Sequence, residues 1–177
     1  MMSNEKWLDR YNLIKESIRR EYIEKKYDLK SFNNNYSKNN PLNSINIKEK
    51  RQLAINNNLN LPNDFYDFLK LSNGLYLEDT ADDFGLISGE MVIFSFNDNM
   101  NIIEEQKEKM YVEGIDGSIQ YIYLGFGADS LDIYRYDLLN NKYEVADNAY
   151  FYDEPYFKSD TINKMLEYLF FYHKNNI

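Results

Sequence analysis

The hydrophobic period of the chain changes at Asn73-Gly74. Before this dipeptide, apolar residues recur at the three- and four-residue steps of helices; after it, they form short alternating, β-branched or aromatic runs. Both residues tolerate positive φ, so a helix can end there and lead directly into a strand. Helices separated in this way from largely consecutive strands predict an α+β fold, with a mostly antiparallel sheet backed by helices.

Three helices are predicted before this change. Residues 4–26 form an amphipathic helix, and 46–56 form a short one in which Asn46 and Glu49 fit a capping box. Pro62 suits the first position of the third helix, since its missing N–H costs nothing there. The apolar stripe expected in the first helix is Trp7, Tyr11, Ile14, Ile18 and Tyr22. The stripe expected in the third helix is Phe65, Phe68 and Leu69, with Leu71 at its edge.

Strands are predicted after the change at 75–77, 91–96, 121–124, 131–136 and 143–146, with a helix over 99–110. Gly125-Phe126-Gly127 is predicted to form the hairpin turn between the third and fourth strands, and Asn140-Asn141 the next turn. Ser159 or Asp160 can cap a final amphipathic helix. The sheet is therefore expected to end in a meander covered by that helix.

The expected domain organisation has three parts. Residues 1–30 form an N-terminal helical extension, 31–44 an Asn-rich loop or linker, and 45–177 the α+β domain. The extension and the domain are expected to form one structural unit. The chain starts without an apolar signal segment and has no apolar run of membrane-spanning length, so a cytoplasmic protein with no membrane partner is expected.

Few residues carry catalytic or metal-binding chemistry. The chain has no Cys and one histidine, His173, which rules out thiolate chemistry and multi-histidine metal sites. The sequence pattern of a nucleophile elbow is not present. Gly125-Phe126-Gly127 precedes a strand and not a helix, so it does not predict a phosphate-binding loop. We therefore expect no enzyme activity, no cofactor and no metal.

The order of motifs resembles the SUKH superfamily, the Smi/Knr-like proteins that include the YrhA-like group and many bacterial toxin-immunity proteins. The motifs are a proline-led helix into Asn-Gly, a Gly-rich turn with an aromatic strand, an aspartate-bearing strand pair and a closing amphipathic helix, over roughly residues 45–172. The residues that carry the resemblance are Pro62, Asn73, Gly74 and Gly125. It implies a SUKH-like fold and a non-enzymatic protein that binds and neutralises a toxin; the alternative is a general intracellular interaction or regulatory module.

The distribution of charge indicates the kind of partner. Residues 1–60 contain 12 Lys and Arg against 7 Asp and Glu, whereas residues 61–177 contain 8 against 22. An acidic domain repels nucleic acid and favours a cationic protein surface. Candidate partner-binding residues are Glu78, Asp79, Asp82, Asp83, Asp129 and Asp132. Their alternatives are a solvated acidic loop, a catalytic carboxylate pair or a hard-cation site.

Tyrosine is the other abundant residue, with 17 Tyr beside 11 Phe. Tyr121 and Tyr123 share one face of their predicted strand, and Tyr134 and Tyr136 share one face of theirs. Tyrosines suit protein interfaces, although they equally build a core and its rim. The sequence predicts an acidic, Tyr-rich surface for a basic toxin domain and leaves the oligomeric state open.

Overall fold

The computed structural model describes residues 6–30, 32, 40–77, 91–113, 119–127, 132–147 and 154–171. Within these ranges the protein is an α+β fold, as predicted, with five helices and a six-stranded sheet. In chain order the elements are α1 (Lys6–Glu24), α2 (Ser44–Asn56), α3 (Asn63–Leu71), β1 (Leu75–Leu77), β2 (Met91–Ile93), α4 (Phe96–Val112), β3 (Tyr121–Gly127), β4 (Asp132–Asp137), β5 (Lys142–Asp147), β6 (Phe157–Ser159) and α5 (Ile162–Phe171).

The sheet is antiparallel throughout, and its strands lie in chain order from β1 to β6. Successive side chains of a strand point to opposite faces. One face, here called the core face, carries residues such as Ile122, Tyr134 and Val145, which join the hydrophobic core with the helices. The opposite face, here called the outer face, carries the alternate residues, among them Tyr123 and Arg135.

Helix α1 shares the core of the rest of the chain. Trp7 is fully buried, with its ring 5.7 Å from that of Phe68 in α3 and 6.5 Å from that of Phe170 in α5. Its indole Nε1 donates a 3.0 Å hydrogen bond to Asn163 Oδ1 at the start of α5. Burial of an aromatic ring of this size stabilises a fold by about 1.5–3 kcal/mol, so α1 is held by its own apolar stripe.

Gly74 and Asn73 connect α3 to β1 and also support α4. Helix α3 ends at Leu71, Ser72 follows in an extended conformation, and Gly74 adopts a φ of 105°, which L side chains rarely tolerate. Asn73 Oδ1 accepts a 3.0 Å hydrogen bond from the backbone N–H of Phe96, the first residue of α4. The dipeptide therefore ends one helix region and orients the start of another.

The predicted hairpin turn at Gly125-Phe126-Gly127 was wrong, because these residues belong to β3. Gly125 pairs with Tyr134 of β4 next to a register shift and with Ile93 of β2. A Cβ at Gly125 would lie 1.9 Å from the carbonyl oxygen of Val92. Glycine is required here because the neighbouring strand approaches too closely for a side chain, and not because the chain turns.

The predicted helix caps need three corrections. Asn43, and not Asn46, caps α2, since its side chain accepts from the backbone N–H groups of residues 45 and 46. Pro62 lies at the N-cap of α3, one residue before the first helical position. At α5, Thr161 Oγ1 accepts from Lys164 N and Asp64 Oδ2 from Ile162 N, in place of the expected Ser159 or Asp160. Several Asn, Asp, Ser or Thr side chains lie near the start of each of these helices, so the local sequence alone did not identify the residue that caps it.

The predicted strand over 91–96 was too long. Strand β2 ends at Ile93, and Ser95 begins α4 as its N-cap. The Ser95 side chain accepts from the backbone of Asp98, and the Asp98 side chain accepts from the backbone of Ser95, which forms a capping box. Helix α4 therefore begins three residues before the predicted start at 99.

Candidate functional site

The candidate acidic residues divide into two groups. Glu78, Asp79, Asp82, Asp83 and Asp129 lie outside the described residues, as does His173. Asp132 begins β4 and is only 5% exposed, and its carboxylate accepts a hydrogen bond from the Tyr156 hydroxyl. Burial and this carboxylate raise the pKa of Tyr156. The structure therefore contradicts the expectation that Asp132 is a surface contact residue.

The four strand tyrosines occupy both faces of the sheet. Tyr134 and Tyr136 lie on the core face and are buried, whereas Tyr121 and Tyr123 lie on the outer face and are partly exposed. Each strand therefore places its pair on one face, but the two pairs point in opposite directions. Only the β3 pair is available for contact with another molecule.

A groove of about 250 Å³ lies beside the β3 tyrosines, between the last turns of α4 and the start of β3. Its lining combines apolar and aromatic side chains with a polar rim: Gln106, Lys109, Met110, Glu113, Ile119, Gln120, Tyr121 and Tyr123. Gln120 Nε2 donates a 2.8 Å hydrogen bond to the Tyr121 hydroxyl, and Lys109 Nζ lies 4.0 Å from Glu113 Oε1. The rim charges therefore pair with each other and leave the groove floor largely apolar.

The exposed side of α4 that does not line this groove carries carboxylates and two large apolar side chains. Tyr111 and Val112 are 88% and 83% exposed, more than any other large apolar side chain that the structure describes. Glu104 and Glu108 precede Tyr111 by seven and three residues, which places them on the same side of the helix. Glu105 is also exposed. We call Glu104, Glu105, Glu108, Tyr111 and Val112 the α4 ridge.

Helix α4 is held in register with β3. Asn99 Nδ2 donates a 2.6 Å hydrogen bond to the backbone carbonyl of Tyr123, and the buried side chains of Met100 and Ile103 join the core. Phe94 N donates to the carbonyl of Leu124 at 2.7 Å, just before the helix begins. These contacts fix the groove walls relative to each other, so the groove is a preformed feature.

A row of charged side chains crosses the outer face of the sheet behind the groove. Arg135 on β4 and Glu144 on β5 are directly opposite, both are buried, and Arg135 Nε donates a 2.9 Å hydrogen bond to Glu144 Oε2. Lys158 on β6 lies 3.9 Å from the other Glu144 oxygen. The Arg135 guanidinium lies 4.1 Å from the centre of the Tyr121 ring. This row holds one face of the Tyr121 ring in place.

This row of charged side chains was not predicted from the sequence. The one signal was Arg135 standing between Tyr134 and Tyr136, since a charged residue in an aromatic run marks the other face of the strand. The sequence contains no local indication that Glu144 is its partner, because the pairing depends on the register of β4 with β5.

Another groove, of about 620 Å³, lies between α3 and α5. Several of its polar side chains already have partners within the protein. Asp64 accepts from Ile162 N and the Tyr143 hydroxyl, Asn163 accepts from Trp7, and Asp67 pairs with Lys70 at 2.6 Å. This groove is therefore a helix junction and a weaker candidate for a binding site than the groove beside Tyr121.

Two absences hold for the described part of the chain. None of the helices there has both the length and the apolar character needed to cross a membrane. In the same ranges, no three acidic or histidine side chains are grouped so that they could hold a metal ion.

Comparison of the chain with models of known protein families gives no match, and comparison with curated proteins gives none at the significance required.

Proposed function

We propose that this protein is a non-enzymatic immunity protein that binds and neutralises a basic toxin domain through the α4 ridge and the groove beside Tyr121. The observation that carries the proposal is the pair Tyr111 and Val112, which are 88% and 83% exposed beside acidic side chains, on the helix whose other side lines the groove. Fully exposed large apolar side chains in a cluster are typical of protein-binding surfaces. The sequence resemblance to the SUKH superfamily supplies the immunity class.

The chemistry of the surface suits a protein partner. Tyrosine buries a large area on binding and keeps its hydroxyl hydrogen-bonded, and aromatic residues are enriched among residues that dominate binding energy. The three ridge carboxylates would accelerate encounter with a cationic partner and disfavour acidic ones. The proposed contact surface lies on α4 and β3, and not on the acidic residues that were predicted from the sequence to bind a partner.

The test is co-purification of the tagged protein with the products of its neighbouring genes at moderate salt, followed by an activity assay of any bound domain. A stable complex with a toxin domain whose activity is lost on binding would support immunity. Capture of regulatory or housekeeping proteins instead would favour the general interaction module. Catalytic turnover by the purified protein itself would contradict both.

A matched pair of charge reversals locates the surface. Glu104→Lys, Glu105→Lys and Glu108→Lys together should slow association and reduce its dependence on salt, because they remove the steering field of the ridge. The control carries Glu16→Lys, Glu21→Lys and Glu24→Lys on α1, which changes the net charge by the same amount. Equal effects of the two triple variants would show that only net charge matters and would contradict the assignment to α4.

A further inference from the structure

We infer that the groove beside Tyr121 is an anchor pocket for one tryptophan side chain of the partner. The inference rests on the proposed function and deepens it, because it names the group that the surface recognises. Three observations about the groove carry it: a lining rich in apolar and aromatic side chains, a tyrosine ring that already contacts a cation of the protein, and a buried acceptor without a donor.

The floor of the groove selects for an apolar side chain. Met110, Ile119, Tyr121 and Tyr123 are four of its eight lining residues, and the volume of about 250 Å³ is of single-side-chain scale. Aromatic rings gain both area and offset or edge-to-face contacts against such walls. Methionine adds an adaptable wall with a favourable sulfur–aromatic contact.

The charges around the groove disfavour a lysine or arginine anchor. The Arg135 guanidinium lies 4.1 Å from the Tyr121 ring centre, so the attraction of this ring for a cation is already used within the protein. Lys109 lies on the rim and pairs with Glu113, which leaves no uncompensated carboxylate there. Basic residues of the partner are therefore expected to meet the ridge carboxylates, and the groove is expected to take an uncharged anchor.

The unpaired acceptor is Gln106 Oε1, which is buried and receives no hydrogen bond. Gln106 also lines the groove. An unsatisfied buried polar atom is costly, and the terminal torsion of glutamine is broad, so its amide can turn toward a donor that enters the groove. An indole N–H is a donor without acceptor character, and it is carried on the largest aromatic side chain. Tryptophan therefore satisfies the floor and the acceptor together.

The experiment uses the full chain and two small probes, N-acetyltryptophanamide and its 1-methylindole analogue, which lacks the N–H. Amide and side-chain NMR shifts are followed during titration with each. We expect saturable shifts at Gln106, Met110 and Tyr121, and roughly 2- to 10-fold tighter binding of the probe that carries the N–H, since one hydrogen bond has about this net worth. In Gln106→Met, the two probes should bind equally, with the groove still occupied.

Two results would overturn the inference. One is an absence of saturable shifts in the groove with either probe; the other is equal binding of both probes to the wild-type chain. Because the probes replace the partner, these results leave the toxin-binding proposal standing. If the chain bound the tryptophan probe but did not bind a toxin domain, the proposed function would be contradicted and the anchor pocket would stand.

Discussion

Asp64 in α3 caps the first N–H of α5: its Oδ2 accepts a 2.7 Å hydrogen bond from the backbone of Ile162, 98 residues later. The other oxygen, Oδ1, accepts from the Tyr143 hydroxyl on β5 at 3.2 Å. Burial, and then the charge and hydrogen bond of Asp64, raise the pKa of Tyr143. One carboxylate thus joins two helices and the sheet.

We predict that Asp64→Ala lowers the free energy of unfolding by about 2–4 kcal/mol, because a helix loses its cap and a buried hydroxyl loses its acceptor. Urea denaturation measures this. The control is Asp67→Ala in the same helix, whose exposed ion pair with Lys70 is worth at most about 0.5–1 kcal/mol. Similar losses for the two variants would contradict the bridging role of Asp64.

The pair Arg135 and Glu144 is predicted to show strong coupling. Arg135→Met alone leaves the 3% exposed Glu144 carboxylate with only the more distant Lys158, and should cost about 3–5 kcal/mol. Arg135→Met with Glu144→Met removes both charges and should cost clearly less than the sum of the single changes. A double-mutant cycle of unfolding free energies tests this, and additive losses would refute the buried pair.

Acid sensitivity is predicted to arise partly at Asp137. Burial acts to raise the pKa of this carboxyl, but donors from the Asn140 side chain and from the backbones of Asn140 and Leu139 outweigh it and lower the pKa below its usual value. A group whose pKa is depressed on folding stabilises the protein above its unfolded pKa, and this contribution is lost as pH falls through the folded pKa.

Asp137→Asn should therefore be less stable than the wild-type chain at pH 7, and the difference should shrink as the pH falls below about 4, the usual pKa of an unfolded Asp. Urea denaturation at a series of pH values measures the difference directly. A difference that stays constant down to the acid limit of folding would show that Asp137 is not the group that titrates.

Tyr111 is predicted to matter for binding and not for folding. It is 88% exposed, so Tyr111→Ser should change the free energy of unfolding by less than about 0.5 kcal/mol. If it is an anchor of the partner surface, the same change should weaken the complex about tenfold or more. The exposed Leu139→Ser serves as a control outside the proposed site. Unchanged affinity for Tyr111→Ser would remove this residue from the interface.

The sequence was informative where period and burial coincide. Trp7, Phe65 and Phe68 were predicted as buried from their spacing, and all three are at most 2% exposed. Strand β6 (Phe157–Ser159) was missed because its three residues include a single apolar side chain, so no alternation is visible. The cap of α5 was missed because its acceptor, Asp64, comes from a distant helix.

The candidate site was harder to predict from sequence. Its tyrosines were visible in the alternation of β3, but the separation of Tyr121 and Tyr134 onto opposite faces depends on strand register. The groove arises only where the end of α4 meets β3, and residues 111 and 112 lie beyond the helix predicted over 99–110. Gly125 was read as a turn because no local pattern reports the approach of Val92 from β2.

The most direct test of the account is to take a toxin domain that co-purifies with the protein, titrate it with the purified protein and follow toxin activity. The account predicts that the wild-type chain abolishes the activity, and that the Glu104→Lys, Glu105→Lys, Glu108→Lys variant with Tyr111→Ser fails to do so at the same concentration while remaining folded. Full toxin activity in the presence of excess wild-type protein would contradict immunity; full inhibition by the folded variant would contradict the α4 surface.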